Sequence, residues 1–512
     1  MADDDGETFQ DELLHNNCVD AEEVSRQRKS SIFCGRFRYF ILFLSWLCLT
    51  SISSNMLALN FTLICMGSSP TTNGTATAAT DGRHSEPSLV HNPQRFIYSS
   101  QQKNQLMWAV AVGSMLGTFP FSWLYTHFGA RFVLFGAGLA SAVATALIPT
   151  AASISFHLFL ALRFVQGISY SADFAAMGMI CSRWASLKQN ALFISVLTCY
   201  SPLSTTITNP VSGMICESRF GWPMVYYVHA FACTLLFLLW LCFYNDHPRT
   251  NRFVSDSELE KIHRDKSRAH IEMDKFVPYK EILRSRLIWV VWLNAFADLF
   301  SGVFLLMYIP TYLNYVLHYG IEKTGFLGAL PSLSHIPLKF LFGYCSDKFK
   351  CLPERAKLIL FNTIAVGVPA IAYLAIGFIP VDRPLWTVLT FTAILMLLST
   401  AGGGFYKCGT LCSRQYSHFV VANIQFVKSL TLFVGPALMW LFVDDETDRD
   451  QWRNVFMLLA AMLILANVLF AMVATDQPAS FTQIHAAGAK SKLANGEEEK
   501  AQNVMMIVAS EI

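Results

Sequence analysis

Twelve apolar runs, each long enough to cross a lipid bilayer, dominate this sequence and restrict what it can fold into. The hydrocarbon core of a bilayer is about 30 Å thick, and a helix needs about 20 apolar residues to cross it. In chain order, the runs lie near residues 39–66, 104–126, 132–150, 153–181, 191–215, 222–244, 287–317, 324–345, 356–380, 385–412, 417–443 and 453–474. Only helices and closed barrels satisfy every backbone group in lipid, and these runs are much longer than barrel strands. The sequence therefore predicts an all-α membrane protein with twelve transmembrane helices.

The composition of the 512-residue chain agrees with a lipid environment. Hydrophobic residues make up 53% of the chain and charged residues 14%, whereas charged residues are about a quarter of a typical soluble domain. The formal net charge of +2 indicates no charged partner, and we expect no nucleic-acid partner. The partner that the composition predicts is the lipid bilayer itself.

The basic residues indicate how the chain is oriented. Of the 38 Lys and Arg residues, 26 lie in the two tails and alternate loops, eight in the other loops and four inside the apolar runs. Cytoplasmic loops carry an excess of Lys and Arg, so both termini are predicted in the cytoplasm. The first 25 residues are polar, so no cleavable signal peptide is expected. We expect a multi-pass integral protein of the plasma membrane or of an endolysosomal or vesicular membrane.

The first long loop, residues 67–103, is predicted on the luminal or extracellular side. It is rich in Thr, Ser, Gly and Pro, and it contains the glycosylation acceptor Asn73-Gly74-Thr75. We therefore predict a glycoprotein modified at Asn73. The 13 cysteines lie mainly in the apolar runs and none lies in this loop, so no disulfide is expected.

The longest internal polar segment divides the chain into two halves of six helices. The predicted organisation is a cytoplasmic N-terminal tail (1–38), a first half (39–244), a cytoplasmic linker (245–286), a second half (287–474) and a cytoplasmic C-terminal tail (475–512). In the linker, Ser255 and Glu258 have the spacing of a capping box, which satisfies free backbone donors at a helix start. We expect a surface helix there, with charges facing solvent and anionic lipid head groups.

Two related segments end the second and eighth runs and support this division. The first reads SWLYTHFGAR (122–131) and the second reads GYCSDKFK (343–350). In the second, Gly343, Asp347 and Lys348 reproduce the G-x-x-x-D-[KR] core of the loop signature of the major facilitator superfamily. A glycine permits close helix approach, and the acid can cap a neighbouring helix and pair with a base. These three residues are predicted to form a cytoplasmic gate.

Six further segments carry a more specific resemblance. They are RFVQG (163–167), GWPMVYYV (221–228), YNDHPRTNRFVSDSELEKI (244–262), YIPTYLNYVL (308–317), GFLGALPSL (325–333) and QWRNVF (451–456). In this order and spacing they resemble the organic-anion and sodium-phosphate cotransporter family, which includes sialin and the vesicular glutamate and nucleotide transporters. The resemblance implies a twelve-helix facilitator fold that works by alternating access. It also implies substrate anions held at the membrane midplane and transport driven by protons, sodium or membrane potential.

The chain resembles a divergent member of this family, because several of the family's site positions carry other residues. These residues, with the family's in parentheses, are Met56 (arginine), Met107 (histidine in the glutamate transporters), Tyr170 (acid), Asp298 (arginine in the glutamate transporters), Leu411 (aspartate) and Lys428 (glycine). Arg163 is the charge of the family's substrate site that is retained.

Two charges, Arg163 and Asp173, lie in the fourth apolar run. An ionisable residue at this depth costs at least about 2.5–3.5 kcal/mol on insertion scales and is a functional-site candidate by default. On a helix, Arg163 and Tyr170 share one stripe that can line a cavity, whereas Asp173 lies about 80° away from Arg163 and about 15 Å along the axis. The two charges therefore need separate partners.

Arg163 and Tyr170 are predicted to bind substrate, because a guanidinium can clamp a carboxylate or phosphate. The alternative for Arg163 is a buried arginine satisfied by helix carbonyls or by an acid on another helix. For Asp173, a gate contact and a proton-coupling role both stay open.

Asp298 is predicted to face the central cavity, either as the carrier of a coupling proton or as the charge that neutralises Arg163 when the cavity is empty. Lys407 follows three glycines, and a substrate-binding role in the cavity competes with a structural ion pair. Lys428 is predicted to be structural. Lys339 is expected to extend to the cytoplasmic surface.

The sequence favours a secondary active transporter of a small organic anion or inorganic phosphate. A carrier of a zwitterion or cation stays open, because the helix-one arginine is absent and the seventh run holds an acid. A non-transporting receptor or scaffold with the same fold also stays open. We find no nucleophile and base pair, metal-ligand cluster or phosphate-cradling loop, so we expect no enzyme, cofactor or metal beyond a co-transported proton or sodium ion. We expect a monomer, and Ser510-Glu511-Ile512 fits a weak ligand of PDZ-type domains.

Overall fold

The computed structural model describes residues 36–67, 98–186, 189–263, 279–348, 352–380, 382–413 and 416–483. These residues form helices and their connections, with no strand among them. We number the membrane-crossing helices as spans 1 to 12: Phe37–Gly67 (1), Ser100–Phe128 (2), Ala130–Ile154 (3), Phe156–Tyr170 with Ala172–Trp184 (4), Asn190–Thr198 with Tyr200–Glu217 (5), Gly221–Phe243 (6), Arg286–Thr311 with Tyr312–Val316 (7), Ile321–Lys348 (8), Glu354–Asn362 with Thr363–Gly367 and Val368–Ile376 (9), Pro384–Leu398 with Ser399–Gly403 and Phe405–Ser413 (10), Ser417–Phe442 (11) and Arg449–Val473 (12). The predicted all-helical fold with twelve spans is confirmed. Short helices follow at Pro248–Thr250, Asp256–His263, Tyr279–Arg284 and Ser480–Gln483.

Spans 4, 5, 8 and 11 differ from the other spans in unbroken length or in apolarity. By length and composition alone, eight described helical segments are apolar enough to cross a membrane. Span 4 is interrupted after Tyr170 and span 5 after Thr198. Span 8 contains Pro331 and Pro337, and the apolar part of span 11 is shorter, at Phe426–Phe442. Such breaks are tolerated in membranes where neighbouring helices satisfy the freed backbone groups. The breaks in spans 4 and 5 adjoin the site described below.

Successive spans alternate in direction, so the bundle has two faces. We call the face with Phe37 and Val473 the terminal face, and the face with Gly67 and Ser100 the opposite face. Among spans 1 to 6, span 1 packs on spans 5 and 6, and span 3 packs on spans 4 and 6. Among spans 7 to 12, span 7 packs on spans 11 and 12, and span 8 packs on span 10. Span 5 also packs on span 8 and span 2 on span 11, so two extended contacts join the halves.

Spans 2 and 4 approach each other backbone to backbone. A Cβ atom built on Gly113 would lie 2.3 Å from the carbonyl oxygen of Phe164. A Cβ atom built on Gly167 would lie 2.2 Å from the carbonyl oxygen of Val110. Glycines allow this close approach of membrane helices, which packing stabilises. Spans 2 and 4 therefore form one tightly packed unit within the first half.

The described part of the linker caps the start of span 1. Both carboxylate oxygens of Glu258 accept backbone hydrogen bonds, from the N–H of Phe37 at 3.1 Å and of Arg38 at 2.8 Å. The Glu258 side chain is buried, and a carboxylate at a helix N-terminus satisfies free donors and complements the helix dipole. The predicted linker helix is present at Asp256–His263. The predicted capping box between Ser255 and Glu258 is wrong, because the glutamate caps a different helix.

A disulfide joins two span ends at the opposite face. Cys65 lies near the end of span 1 and Cys216 near the end of span 5, with their Cα atoms 6.1 Å apart. The expectation of no disulfide is therefore wrong. The two cysteines are 151 residues apart, with Cys65 inside the first apolar run and Cys216 directly after the fifth. The sequence alone does not show which span ends are neighbours.

Replacement of Cys65 by serine is expected to destabilise the protein. Loss of a native disulfide costs about 2–5 kcal/mol in small secreted domains, and we expect a loss of similar size here. Thermal unfolding of the purified protein, with and without reductant, measures the effect. Cys242→Ser is the matched control, because Cys242 is a free and exposed cysteine. Equal unfolding temperatures for the two variants would contradict the prediction.

Candidate functional site

A buried ion pair joins the two halves of the bundle. The Nζ of Lys428, on span 11, lies 3.3 Å from the Oδ2 of Asp173, on span 4. The exposed fractions of these side chains are 5% for Lys428 and 1% for Asp173. Removing one partner of a buried pair leaves an uncompensated charge, which is strongly destabilising. The pair therefore holds the halves together in this conformation.

Two tyrosines lie against the ion pair. The Tyr200 hydroxyl donates a hydrogen bond to Asp173 and accepts one from Lys428. The Nζ of Lys428 lies 4.6 Å from the ring centroid of Tyr170 and 4.8 Å from that of Tyr200. Aromatic faces stabilise a nearby cation electrostatically. We call Tyr170, Asp173, Tyr200 and Lys428 the central cluster.

Arg163 lies on span 4 but outside the central cluster, and its side chain is 1% exposed. Its Nη1 donates to the carbonyl oxygen of Met56 at 3.0 Å and to the Oε1 of Gln166 at 2.7 Å. Its Nε donates to the carbonyl oxygen of Leu106 at 3.3 Å. The prediction of separate partners for Arg163 and Asp173 is confirmed. These contacts match the alternative stated for Arg163, a buried arginine satisfied by helix carbonyls. Its role in substrate binding stays a prediction.

A central cavity with an empty volume of about 240 Å³ lies between the halves beside the central cluster. Its lining includes Met56, Leu57, Tyr170, Ser201, Met307 and Leu432. Most of these side chains are apolar, as in small-molecule sites that hold a few polar groups among apolar walls. Tyr170 belongs to both the cavity wall and the central cluster, so it connects the cavity to the ion pair.

Asp298, on span 7, is buried away from this cavity lining. It is 9% exposed, and its Oδ1 has no hydrogen-bond partner in the part of the chain that the structure describes. Lys339 is close enough to act electrostatically on it. Lys339 is partly exposed, and its Nζ donates to the Oγ1 of Thr198 at 2.9 Å, so its extension to the surface stays a prediction. A buried carboxylate with an unsatisfied oxygen is costly, so Asp298 stays a candidate for a functional residue.

The other predicted site residues lie apart from the central cluster or outside the described parts. The Nζ of Lys407 lies 3.6 Å from an oxygen of Glu354 in a partly exposed ion pair. The helix of span 8 continues through Gly343 to Lys348, but the surroundings of Gly343, Asp347 and Lys348 lie outside what the structure describes. Asn73 also lies outside the described residues.

Spans 2 and 11 run antiparallel and contact each other from the opposite face to the middle of the bundle. Close to the opposite face, the indole of Trp108 donates to the carbonyl oxygen of Phe433 at 3.1 Å. Deeper in the bundle, the hydroxyls of Ser114 and Ser429 lie 3.1 Å apart. Because Lys428 precedes Ser429 in the chain, this contact leads directly to the central cluster.

Sequence reasoning did not identify Tyr200 as a site residue and assigned Lys428 a structural role. Tyr200 lies directly at the break in span 5, and Pro202 follows two residues later. Proline marks the position where a helix begins or is disturbed, and this signal could have drawn attention to Tyr200. The pairing of Lys428 with Asp173 required knowledge of how spans 4 and 11 pack.

Comparisons with known proteins agree with this architecture. The profile of the Major Facilitator Superfamily matches residues 38–420. Sialin of Ovis aries is 26% identical over 462 residues, which cover 87% of this chain and 90% of sialin. Sodium-dependent phosphate transport protein 1 of Homo sapiens is 26% identical over 455 residues, which cover 87% of this chain and 94% of that protein.

Two solved structures have the same fold. The crystal structure of a D-xylose-proton symporter superposes with a TM-score of 0.62 at 15% identity, covering 86% of this chain and 98% of the symporter. A bacterial homologue of the human lysosomal transporter Spinster, in an inward-facing and occupied conformation, gives a TM-score of 0.61 at 14% identity. That match covers 85% of this chain and 97% of the homologue. At such low identity, these likenesses concern the fold alone.

Proposed function

This chain belongs to the Major Facilitator Superfamily, and from that premise we propose that it is a secondary active transporter. The proposed cargo is a small organic anion or inorganic phosphate, moved by alternating access. The predicted resemblance to the organic-anion and phosphate cotransporters is confirmed, since sialin and a sodium-dependent phosphate transport protein are among its relatives. Its family and relatives are transporters rather than enzymes.

The observation that carries the proposal is the buried Asp173–Lys428 pair at the interface of the halves. Without cargo, Asp173 neutralises the ammonium of Lys428. An incoming carboxylate or phosphate offers Lys428 a second oxyanion, and charge-assisted hydrogen bonds of this kind are among the strong ones. Exchange of Asp173 for the anion loosens the contact between the halves. Cargo binding is thereby coupled to their separation.

Arg163 and Tyr170 are the further substrate contacts in this proposal. Tyr170 lines the central cavity, and the ring of Tyr170 lies against the Lys428 ammonium. Arg163 donates to the carbonyl oxygen of Met56, which lines the same cavity. A guanidinium this close to the cavity wall reaches an anion after a small side-chain movement, with a forked geometry that suits carboxylates and phosphates.

Asp298 is the proposed coupling group, because its buried Oδ1 has no described hydrogen-bond partner. We expect Asp298→Asn to remove the dependence of uptake on an imposed proton or sodium gradient while preserving exchange of labelled for unlabelled substrate. Asparagine keeps the size of the side chain and cannot take up a proton or balance a cation. The matched control is Glu354→Gln, an acid in a partly exposed pair with Lys407. Full gradient dependence in Asp298→Asn would exclude this role.

The remaining site residues belong to the proposal as predictions from the sequence. Gly343, Asp347 and Lys348 form the proposed gate at the terminal face. Lys407 is a further proposed substrate contact, which would exchange its described partner Glu354 for the anion. We place the terminal face and both chain termini in the cytoplasm. The Cys65–Cys216 bond at the opposite face supports this orientation, since disulfides persist in oxidising compartments. A monomer in the plasma membrane or an endolysosomal membrane is proposed.

The deciding experiment is uptake by the purified full chain in liposomes. Phosphate, urate, sialate, glutamate, nucleotides and amines are offered under an imposed proton gradient, a sodium gradient or a membrane potential. Accumulation of an anion supports the proposal, and accumulation of amines alone would favour a cation carrier. If no compound accumulates under any gradient, the receptor or scaffold alternative replaces the transporter. Glycosylation at Asn73 and capture by PDZ-type domains at Ile512 are separate predictions.

A further inference from the structure

A second, larger cavity opens between the halves near the opposite face. Its empty volume is about 420 Å³, and it is lined by residues of spans 1, 2, 7 and 11 and by the connection to span 12. The lining includes Ser100, Lys103, Asn104, Tyr308, Tyr315 and Glu446. We call this cavity the vestibule.

The vestibule contains an ion pair that also joins the halves. The Nζ of Lys103, at the start of span 2, lies 2.7 Å from the Oε2 of Glu446. The exposed fractions of the two side chains are 19% and 20%, so water and solutes reach this pair. The ammonium also lies 5.4 Å from the ring centroid of Tyr315. A partly exposed pair gains little free energy, so an incoming anion can replace Glu446 at small cost.

Asn104 supplies the second observation that indicates a ligand. Asn104 is 6% exposed and lines the vestibule one residue after Lys103. The described hydrogen bonds of the bundle do not involve its amide, which lines the cavity. An amide that faces a cavity beside an ammonium can complete its hydrogen bonds with an oxyanion, because it offers two N–H donors.

We propose that the vestibule is a second binding site for the cargo, taking a carboxylate or phosphate oxyanion before it reaches the central cavity. This inference deepens the proposed function and rests on it. The oxyanion contacts Lys103 in place of Glu446 and accepts a hydrogen bond from Asn104. Glu446 moves to the solvent at the rim, so the site stays close to electroneutral.

A thin layer separates the vestibule from the central cavity. The Tyr308 hydroxyl lies 3.3 Å from the Sδ of Met107, and both residues line the vestibule. Met307, the neighbour of Tyr308, lines the central cavity. The contact between Tyr308 and Met107 crosses from one half to the other and involves a weak sulfur acceptor. Separation of the halves at the opposite face therefore connects the two cavities.

The test is equilibrium binding of radiolabelled inorganic phosphate, and separately of glucuronate, to the purified full chain in lipid nanodiscs. We expect two bound anions per chain for the wild type and one for Lys103→Gln. The matched control is Lys323→Gln, because Lys323 also lies over a tyrosine ring, 4.8 Å from the Tyr319 centroid, but is not among the lining residues. Binding of only phosphate or only glucuronate identifies the oxyanion that the vestibule accepts.

Transport kinetics distinguish the vestibule from the central site. For an anion that is transported, Lys103→Gln is expected to raise KM about tenfold, because one charge-assisted contact is lost. The maximal rate should stay unchanged. Glu446→Gln is expected to lower KM about threefold, because it removes the carboxylate that competes with the anion for Lys103. A misfolded variant could not show a lower KM.

The outcomes separate the two proposals. One bound anion in both the wild type and Lys103→Gln, with unchanged KM, overturns the vestibule site and leaves the proposed function intact. The wild type can also bind a single anion. If Lys103→Gln loses this anion and Lys428→Met retains it, the vestibule site is supported and the central site is contradicted. No binding of either anion to the wild type overturns both.

Discussion

Lys428→Met is expected to abolish net anion uptake and to lower the unfolding temperature. The substitution leaves Asp173 buried without the ammonium that lies 3.3 Å away in the wild type. Breaking a buried ion pair by removing one partner costs about 3–5 kcal/mol. It also removes the cation that we propose the cargo contacts. Uptake into liposomes and thermal unfolding of the same preparation measure the two effects.

A double variant distinguishes a transport role of this pair from a structural one. Asp173→Asn combined with Lys428→Met removes both charges, so no uncompensated charge remains in the interior. We expect the double variant to recover most of the lost stability, because neutral replacement of a buried pair is often close to neutral in free energy. Uptake should stay absent. Recovery of wild-type uptake in this variant would mean that the pair has only a structural role.

Arg163→Met is expected to have the next largest effect. Its guanidinium donates to the carbonyl oxygens of Met56 and Leu106 and to Gln166. Hydrogen bonds from a charged donor contribute about 1.5–3 kcal/mol each, so the loss of the set should destabilise the protein by about 3 kcal/mol or more. Thermal unfolding measures this loss, and uptake should fall below detection.

A conservative variant isolates the substrate role of Arg163. Lysine keeps the positive charge but lacks the planar fork that binds an oxyanion through two parallel hydrogen bonds. If Arg163 contacts the anion, folded Arg163→Lys should show a KM about tenfold higher. Gln166→Leu is the matched control, because Gln166 belongs to the same buried network, with donors to Asn55 and Thr145. Equal KM values for the wild type and Arg163→Lys would exclude an anion contact.

The overall fold was predictable because lipid permits few structures. Twelve apolar runs with a divider at 245–286 lead to twelve helices without knowledge of any tertiary contact. The contacts between distant helices were not predictable in this way. The Cys65–Cys216 bond and the capping of span 1 by Glu258 each join residues far apart in sequence. Periodicity along one helix carries no information about which other helix lies opposite.

The candidate site was predictable in part. Helical geometry separated Arg163 from Asp173 and indicated that each needs its own partner, and the structure confirms this. Asp173 pairs with Lys428, which lies on a span of the other half. The sequence predicted only a structural role for Lys428. Tyr200 carries no charge and lies in an apolar run, so only its position at a helix break marks it.

The close packing of spans 2 and 4 has a consequence for the balance between the open conformations. Because these spans form one unit, Lys103 and Asp173 move together against Glu446 and Lys428, at two levels of the same interface. A rotation of the halves about an axis between these levels lengthens one ion pair and preserves the other. The two pairs therefore bias the populations of the two open states, and the buried inner pair contributes more than the partly exposed outer pair. Salt screens the partly exposed outer pair more than the buried inner pair, so higher ionic strength shifts the resting population toward opening at the opposite face.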